Sequence, residues 1–419
     1  MRHDRRRVVL WAALAALAPA GVACGPVGET ASVPLGWRSI SIADFGALAD
    51  DGKDDTEAVV RAIRACRGRR GTVLVFPKGR YDFAAGRRVG RGIYQLAFEG
   101  VRGLIVDGRG SKLMFAGKTA PFQFVDCRDV TVRDLTIDWA EPLVSAGIII
   151  RADKRSFDVA LSREYTGEGS DRIESIIEFD PATRQPTPGG TDIYDCSPFT
   201  ADFIKGWEKI GPTTLRVRLA RDRLMTKGAL AVIRHQVYRY NAFSVWSCRR
   251  FTLRDVTIRY CPGMGVSSRL TEDILLKRVR MAPPPGSPRI LSVSADGTHF
   301  AECAGTIRIE DCLFQGIGDD ATNIHGFFRE VVRIVDGRTV EAKCQNTWIW
   351  PPRVGDVLEL TDPIWSGRIG WAPTNASLQT MITAMRTIWG RSGRIVAPLL
   401  VASEARRSVC GRSGAALRK

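Results

Sequence analysis

Two short stretches concentrate the side chains able to do chemistry. The first is Ser294-Ala-Asp296-Gly297-Thr298-His299-Phe300, and the second is Gly316-Ile-Gly318-Asp319-Asp320-Ala-Thr-Asn323-Ile-His325-Gly326. Asp296 and Asp319 are 23 residues apart. In a chain that coils with about that period, the spacing sets the two side by side on neighbouring rungs, and Asp320 adds a third carboxylate. Like charges that close push one carboxyl up, so that one stays protonated while its neighbour is ionised. An acid beside a base is what inverting hydrolysis of a glycosidic bond requires, with roughly 6.5–9.5 Å between them for a water. Adjacent aspartates point to opposite faces of a regular strand. Both can serve only where the chain bends, and Gly316 and Gly318 permit a bend. Aspartate pairs also occupy turns, bonding backbone amides. Here the aspartate one coil away, with Asn323 and His325 following, favours catalysis.

Other polar and aromatic residues are candidates for holding a substrate. His299, Asn323 and His325 are placed to hydrogen-bond sugar hydroxyls, although each histidine suits a structural role equally. Asp138, Trp139 and Glu141 end another apolar run and can line the same groove. Trp139 would offer a ring face to a sugar, or else pack in the core. Trp348 and Trp350 form a second possible platform. This chemistry needs no metal and no cofactor.

The elements that position these residues repeat. Phe124–Asp138, Val245–Arg259 and Phe300–Phe314 share a cysteine, two further residues, apolar alternation and a polar corner. Residues 98–107 and 270–279 are looser copies. Alternation with period two makes short strands with one face inward. One such strand per coil stacks into a solenoid, here read as an all-β right-handed parallel β-helix. Near the start, residues 42–47 and an Asp-rich loop at 50–55 precede a helical spacing of Val59, Val60, Ile63 and Cys66. The strand-turn at 71–81 follows. This run resembles the N-terminal cap of the pectate-lyase-like β-helix superfamily, whose helix covers the open end of the solenoid.

The repeats cover 38–143 and 235–328. Between them, 144–234 reads as an inserted β-barrel or sandwich module of alternating strands and turns. A second such module begins within 329–363. The stretch 364–419 is Arg-rich, acid-poor and aperiodic, and reads as a departure from that module through truncation or a shifted frame.

An aspartate on one coil followed by Gly-x-Asp-Asp on the next resembles the polygalacturonase arrangement. In detail, the strings at 296–300 and 316–326 resemble glycoside hydrolase family 110, the exo-acting α-1,3-galactosidases. Residues 137–142 and 355–363 resemble it as well. The resemblance runs from about 38 to 363. It implies a β-helix with two inserted β-barrel modules and inverting removal of terminal α-1,3-linked galactose from glycans. It points to Asp296, Asp319 and Asp320 as the catalytic carboxylates. By analogy with the polygalacturonases, Asp319 is the general acid, while Asp296 and Asp320 hold and deprotonate the water. A polygalacturonase- or pectate-lyase-like enzyme on polyuronides, or a non-catalytic glycan-binding β-helix, are the alternatives. No Lys or Arg within 294–326 stands out as a lyase base.

Composition bounds the rest. With 419 residues, 44% hydrophobic and 25% charged, the chain is neither wholly disordered nor a multi-span membrane protein. The net charge of +16 suggests nucleic acid, but its distribution does not. Residues 1–24 contribute +3. Residues 364–419, with nine Lys/Arg against Glu404 alone, contribute +8. No nucleic-acid partner is expected. Arg5-Arg6-Arg7, an apolar run from Val8 to Ala18 and small residues up to Cys24 read as a bacterial export signal. The protein is therefore expected to be secreted or at the cell surface, with cleavage near Ala23 or a lipid anchor on Cys24. Of ten cysteines, none has zinc spacing, and those beside strands read as small buried hydrophobes.

Overall fold

In a computed structural model of the chain, residues 35–85, 94–166, 172–196 and 203–334 are described. Beyond them only the short strands Val340–Lys343, Leu358–Thr361, Arg368–Ala372 and Ile395–Leu399 are described. The leading segment through Cys24, and Trp348 and Trp350, lie outside the described residues.

Two parallel sheets form the walls of the solenoid. The longer follows the order Arg38–Ser41, Arg70–Val75, Arg102–Phe115, Arg128–Trp139, Arg249–Ile258, Glu272–Lys277, Ala304–Glu310. The second runs from Tyr94–Glu99 through Ala120–Val125, Phe243–Trp246, Val266–Arg269 and Thr298–Ala301 to Thr322–His325. Every neighbouring pair along these two paths is parallel. The protein is thus a right-handed parallel β-helix. The sequence repeats coincide with its rungs. Phe124 lies against Val245, Val130 against Phe251 and Ile137 against Ile258.

Inward alternation produces stacks of like side chains. Phe98 and Phe124 stack at 4.7 Å between ring centroids, and Phe122 and Phe243 at 5.0 Å. Cys127 and Cys248 are buried at equivalent corners. All seven cysteines among the described residues are free. The helix Thr56–Cys66 turns Val59, Ile63 and Cys66 inward and packs on the strand Tyr94–Glu99 and the short 3-10 helix Ile42–Phe45. No helix among the described residues is long and apolar enough to cross a membrane.

Between the rungs that end at Trp139 and resume at Phe243 lies a seven-stranded antiparallel sheet. Its order is Asp192–Tyr194, Ser175–Phe179, Leu230–Arg234, Val144–Ala152, Ser156–Arg163, Thr214–Leu219, Ile204–Gly211. It has an apolar core of its own, including Phe157, Ile176, Val217 and Ile233. After the last rung, Phe327–Ile334 pairs antiparallel with both Val340–Lys343 and Ile395–Leu399. Leu358–Thr361 pairs with Arg368–Ala372. The stretch from 364 onward, read in the sequence as breaking the second module, therefore contributes two of these strands.

Candidate active site

Asp296 and the Asp319–Asp320 pair lie just ahead of the last two strands of the shorter sheet. The register there corrects the spacing read from sequence. Val293 bridges to Ile317, Thr298 pairs with Thr322 and His299 with Asn323. Each pair is 24 residues apart, so Asp320 rather than Asp319 is the rung partner of Asp296. Asp319 reaches the same cleft because the chain bends before it. Gly316 has φ +68° in this bend. At Gly318 a Cβ would sit 2.4 Å from the Ser294 carbonyl oxygen, so only glycine lets the two coils approach.

The three carboxylates converge. One oxygen of each can be chosen so that all lie within 4.8 Å of one another. That is tighter than the 6.5–9.5 Å set out above for a two-carboxylate inverting site. Asp296 is buried, at 3% exposure, and Asp319 and Asp320 open to solvent. Each has a hydrogen-bond donor. Tyr238 donates its phenol to Asp319 Oδ2 at 2.7 Å. Asn323 donates its amide to Asp320 Oδ2 at 3.0 Å. His299 Nδ1 lies 2.5 Å from Asp296 Oδ2. Three hard oxygens this close are also a geometry that a cation takes. The same three carboxylates also form a candidate acid/base set.

Electrostatics separates the members. Although Asp320 is exposed, partial desolvation by the cleft around it, followed by the charges of Asp319 and Asp296, pushes its carboxyl up, and the Asn323 amide opposes that rise. Burial and the bond to Asp319 push the Tyr238 phenol far up, so it remains a donor. An Asn323→Ala variant loses a bond that favours ionised Asp320. Asp320 then rises further, and the acid limb of the pH–rate profile should move to higher pH. An unmoved acid limb would detach Asp320 from the rate.

The surrounding cleft has a volume of roughly 770 Å³ and is also lined by Tyr94, Arg239, Asn241, Trp246, Arg269 and Phe327. That size suits a small saccharide. Of the residues singled out in the sequence, it gathers Asp296, His299, Asp319, Asp320, Asn323 and His325. It does not gather Asp138, Trp139 or Glu141. Trp139 is fully buried, packed against Phe115 and Tyr260, with its indole N–H donated to the Gly117 carbonyl. It has no face to offer a sugar. Asp138 is buried in an ion pair with Arg289 at 2.5 Å and a longer one with Lys112 at 3.3 Å. Glu141 accepts from the Thr166 amide. A Trp139→Ala variant should lose about 3–5 kcal/mol of stability and keep the KM of the parent. A selective rise in KM would restore its sugar-binding role.

The histidines are corrected too. His299 Nε2 meets His325 Nε2 at 2.9 Å, and His325 Nδ1 lies 2.9 Å from the Gly326 carbonyl. With the Asp296 contact, all four ring nitrogens are engaged within the protein, leaving none free for a sugar hydroxyl. Asn323 keeps exposure and stands beside Asp320.

Several residues of the site were not found from sequence. Tyr238 marks only the point where the solenoid resumes. Arg239 and Arg269 come from other coils, so a search of 294–326 for basic residues misses them. Arg234 ends a strand of the inserted sheet and reads as an ordinary strand residue, yet it is completely buried. Its Nη1 donates to the carbonyls of Ser294 at 2.6 Å and Gly318 at 2.8 Å. Those carbonyls lie two residues before Asp296 and one before Asp319. One guanidinium thus fixes the spacing of the two aspartate-bearing coils.

A parallel β-helix with clustered carboxylates in a flank cleft defines the class. Within it, the chain is a homologue of proteins named α-1,3-galactosidase. It is 29% identical over 342 residues to alpha-1,3-galactosidase A of Shewanella woodyi, covering 72% of this chain and 53% of that one. It is 27% identical over 340 residues to alpha-1,3-galactosidase B of Bacteroides thetaiotaomicron, covering 73% and 54%. The chain therefore spans about half the length of the curated relatives it matches. No family profile matches it. Among solved structures, an exopolygalacturonase from Thermotoga maritima aligns at 13% identity over 69% of this chain and 55% of that one. The TM-score is 0.30, a loose superposition.

Proposed function

We propose that the protein is an exported glycoside hydrolase that removes terminal α-1,3-linked galactose from glycans with inversion. The observation that carries this reading is the convergence of Asp296, Asp319 and Asp320 in an open cleft of saccharide size. The galactosidase homologues support the choice of sugar. The basic, apolar opening of the chain supports export. Asp319 protonates the departing glycosidic oxygen, and the Tyr238 phenol stabilises the carboxylate that develops as the proton leaves. Asp296 and Asp320 hold the attacking water. A water bonded to two carboxylate oxygens needs them no more than about 5.5 Å apart, which a spacing within 4.8 Å allows. The upward shift of Asp320 suits it to keep the proton it takes from that water, while the choice of Asp319 as acid rests on the resemblance to the polygalacturonase arrangement.

Arg239 and Arg269 in the same cleft would also suit a uronate, so polygalacturonate is the competing substrate. The test is proton NMR of the sugar first released from Gal-α-1,3-Gal. β-Galactose supports the proposal. α-Galactose would mean retention and overturn the water-bridged scheme. Cleavage of polygalacturonate with no release of galactose would move the assignment to polyuronides.

A further inference from the structure

The contacts of His299 and His325 fix a proton count. The Gly326 carbonyl can only accept, so His325 Nδ1 carries a proton. The contact between the two Nε2 atoms needs one proton, and the contact between His299 Nδ1 and Asp296 needs another. Three hydrogen bonds require three protons. Two neutral imidazoles and a carboxylate supply only two. The chain Asp296–His299–His325 therefore holds one proton more than its neutral rings, and its net charge is zero.

The surroundings keep that proton away from His325, on the Asp296–His299 contact. The charged groups around the pair are Asp319 and Asp320 from the coil of His325, Arg239 in the same cleft, and Arg269 from the strand Val266–Arg269 on the preceding rung, with Glu302 beyond it. Burial, with His299 and Arg269 nearby, pushes the His325 imidazole down and keeps a second proton off it. The chain also ends at a carbonyl, which cannot pass a proton on. It is a lock rather than a relay.

We propose that His299 is a cationic positioning residue, held as an imidazolium between Asp296 and His325, that neutralises Asp296 and leaves Asp319 and Asp320 as the titrating acid/base pair. The inference deepens the hydrolase reading and rests on it for its consequence in catalysis, but the protonation state can be read without any substrate. Three crowded carboxylates become two, with the third a fixed anchor for the water. His299 also holds Asp320 down. Its loss raises Asp320 both directly and by exposing the charge of Asp296.

The chain has four histidines, so a full-length sample labelled with 15N at histidine gives a tractable multiple-bond spectrum. The resonances absent from His299→Gln should show both nitrogens protonated in the parent protein at neutral pH. In Asp296→Asn the same ring should carry a single proton at neutral pH. A His299 ring with one bare nitrogen at neutral pH in the parent protein overturns the proposal. So does an unchanged His299 in Asp296→Asn. If His299→Gln does not fold, the parent and Asp296→Asn spectra decide alone. In turnover, His299→Gln should move the acid limb upward, a change that loss of packing alone does not produce. A protein that shows the imidazolium yet cleaves no α-galactoside keeps this proposal and sinks the substrate assignment.

Discussion

Asp319→Asn should lower kcat on Gal-α-1,3-Gal by about 10²–10⁴-fold, the usual contribution of a general acid. The leaving group here is a sugar hydroxyl, which departs poorly without a proton. An aryl α-galactoside, whose phenolate leaves unaided, should lose far less. Folding should not change, because the side chain is exposed and an asparagine oxygen still accepts from Tyr238. A rate near the parent's on the natural linkage would show that Asp319 is not the acid. An equal loss on both substrates would mean that the residue acts before bond cleavage.

Arg234→Met should be the most damaging single change away from the carboxylates. The methionine fills much of the space but donates nothing. The Ser294 and Gly318 carbonyls then lose their partner, as does the Ser175 hydroxyl, and the stacking of the guanidinium 4.8 Å from the Tyr194 ring centroid is lost. Each buried acceptor left without its donor costs about 1–3 kcal/mol. Denaturant unfolding should show that loss. Turnover should fall as well in protein that remains folded, because Asp296 and Asp319 are no longer held at one distance. Arg234→Lys should recover part of the stability and little of the rate, since an ammonium reaches one carbonyl more readily than two. Parental stability and rate in Arg234→Met would remove the clamp from the account.

Much of the fold was legible because a solenoid repeats its pattern. The rung that places Val130 against Phe251 is readable from the shared cysteine-led strings alone, and Val144 to Arg234 stands out where that pattern stops. The register of the last coils was harder. Asp296 and Asp319 are 23 residues apart, but a coil there is 24, and only the bend at Gly316–Gly318 brings both aspartates of the pair into the cleft. Trp139 misled because an aromatic at the end of a run looks the same facing in or out. Whether it meets Phe115 or a sugar depends on the neighbouring coil. His299 misled for a related reason, since its partner His325 lies one rung away. Arg234 left no local signal, because its partners lie 60 and 84 residues further along the chain.

That last span bears on how the molecule comes apart. A stack of coils touches only its neighbours and can fray from an end, one rung at a time. The strand Thr322–His325 is the terminal one of its sheet, so the coil that carries Asp319 would ordinarily be among the first to open. Arg234 fastens this coil to a sheet with a separate core. The rung can peel away only if a buried charge gives up its partners at the same moment. A zipper with a rivet near its end opens late and all at once, and the rivet sits where the chemistry needs the chain to hold still.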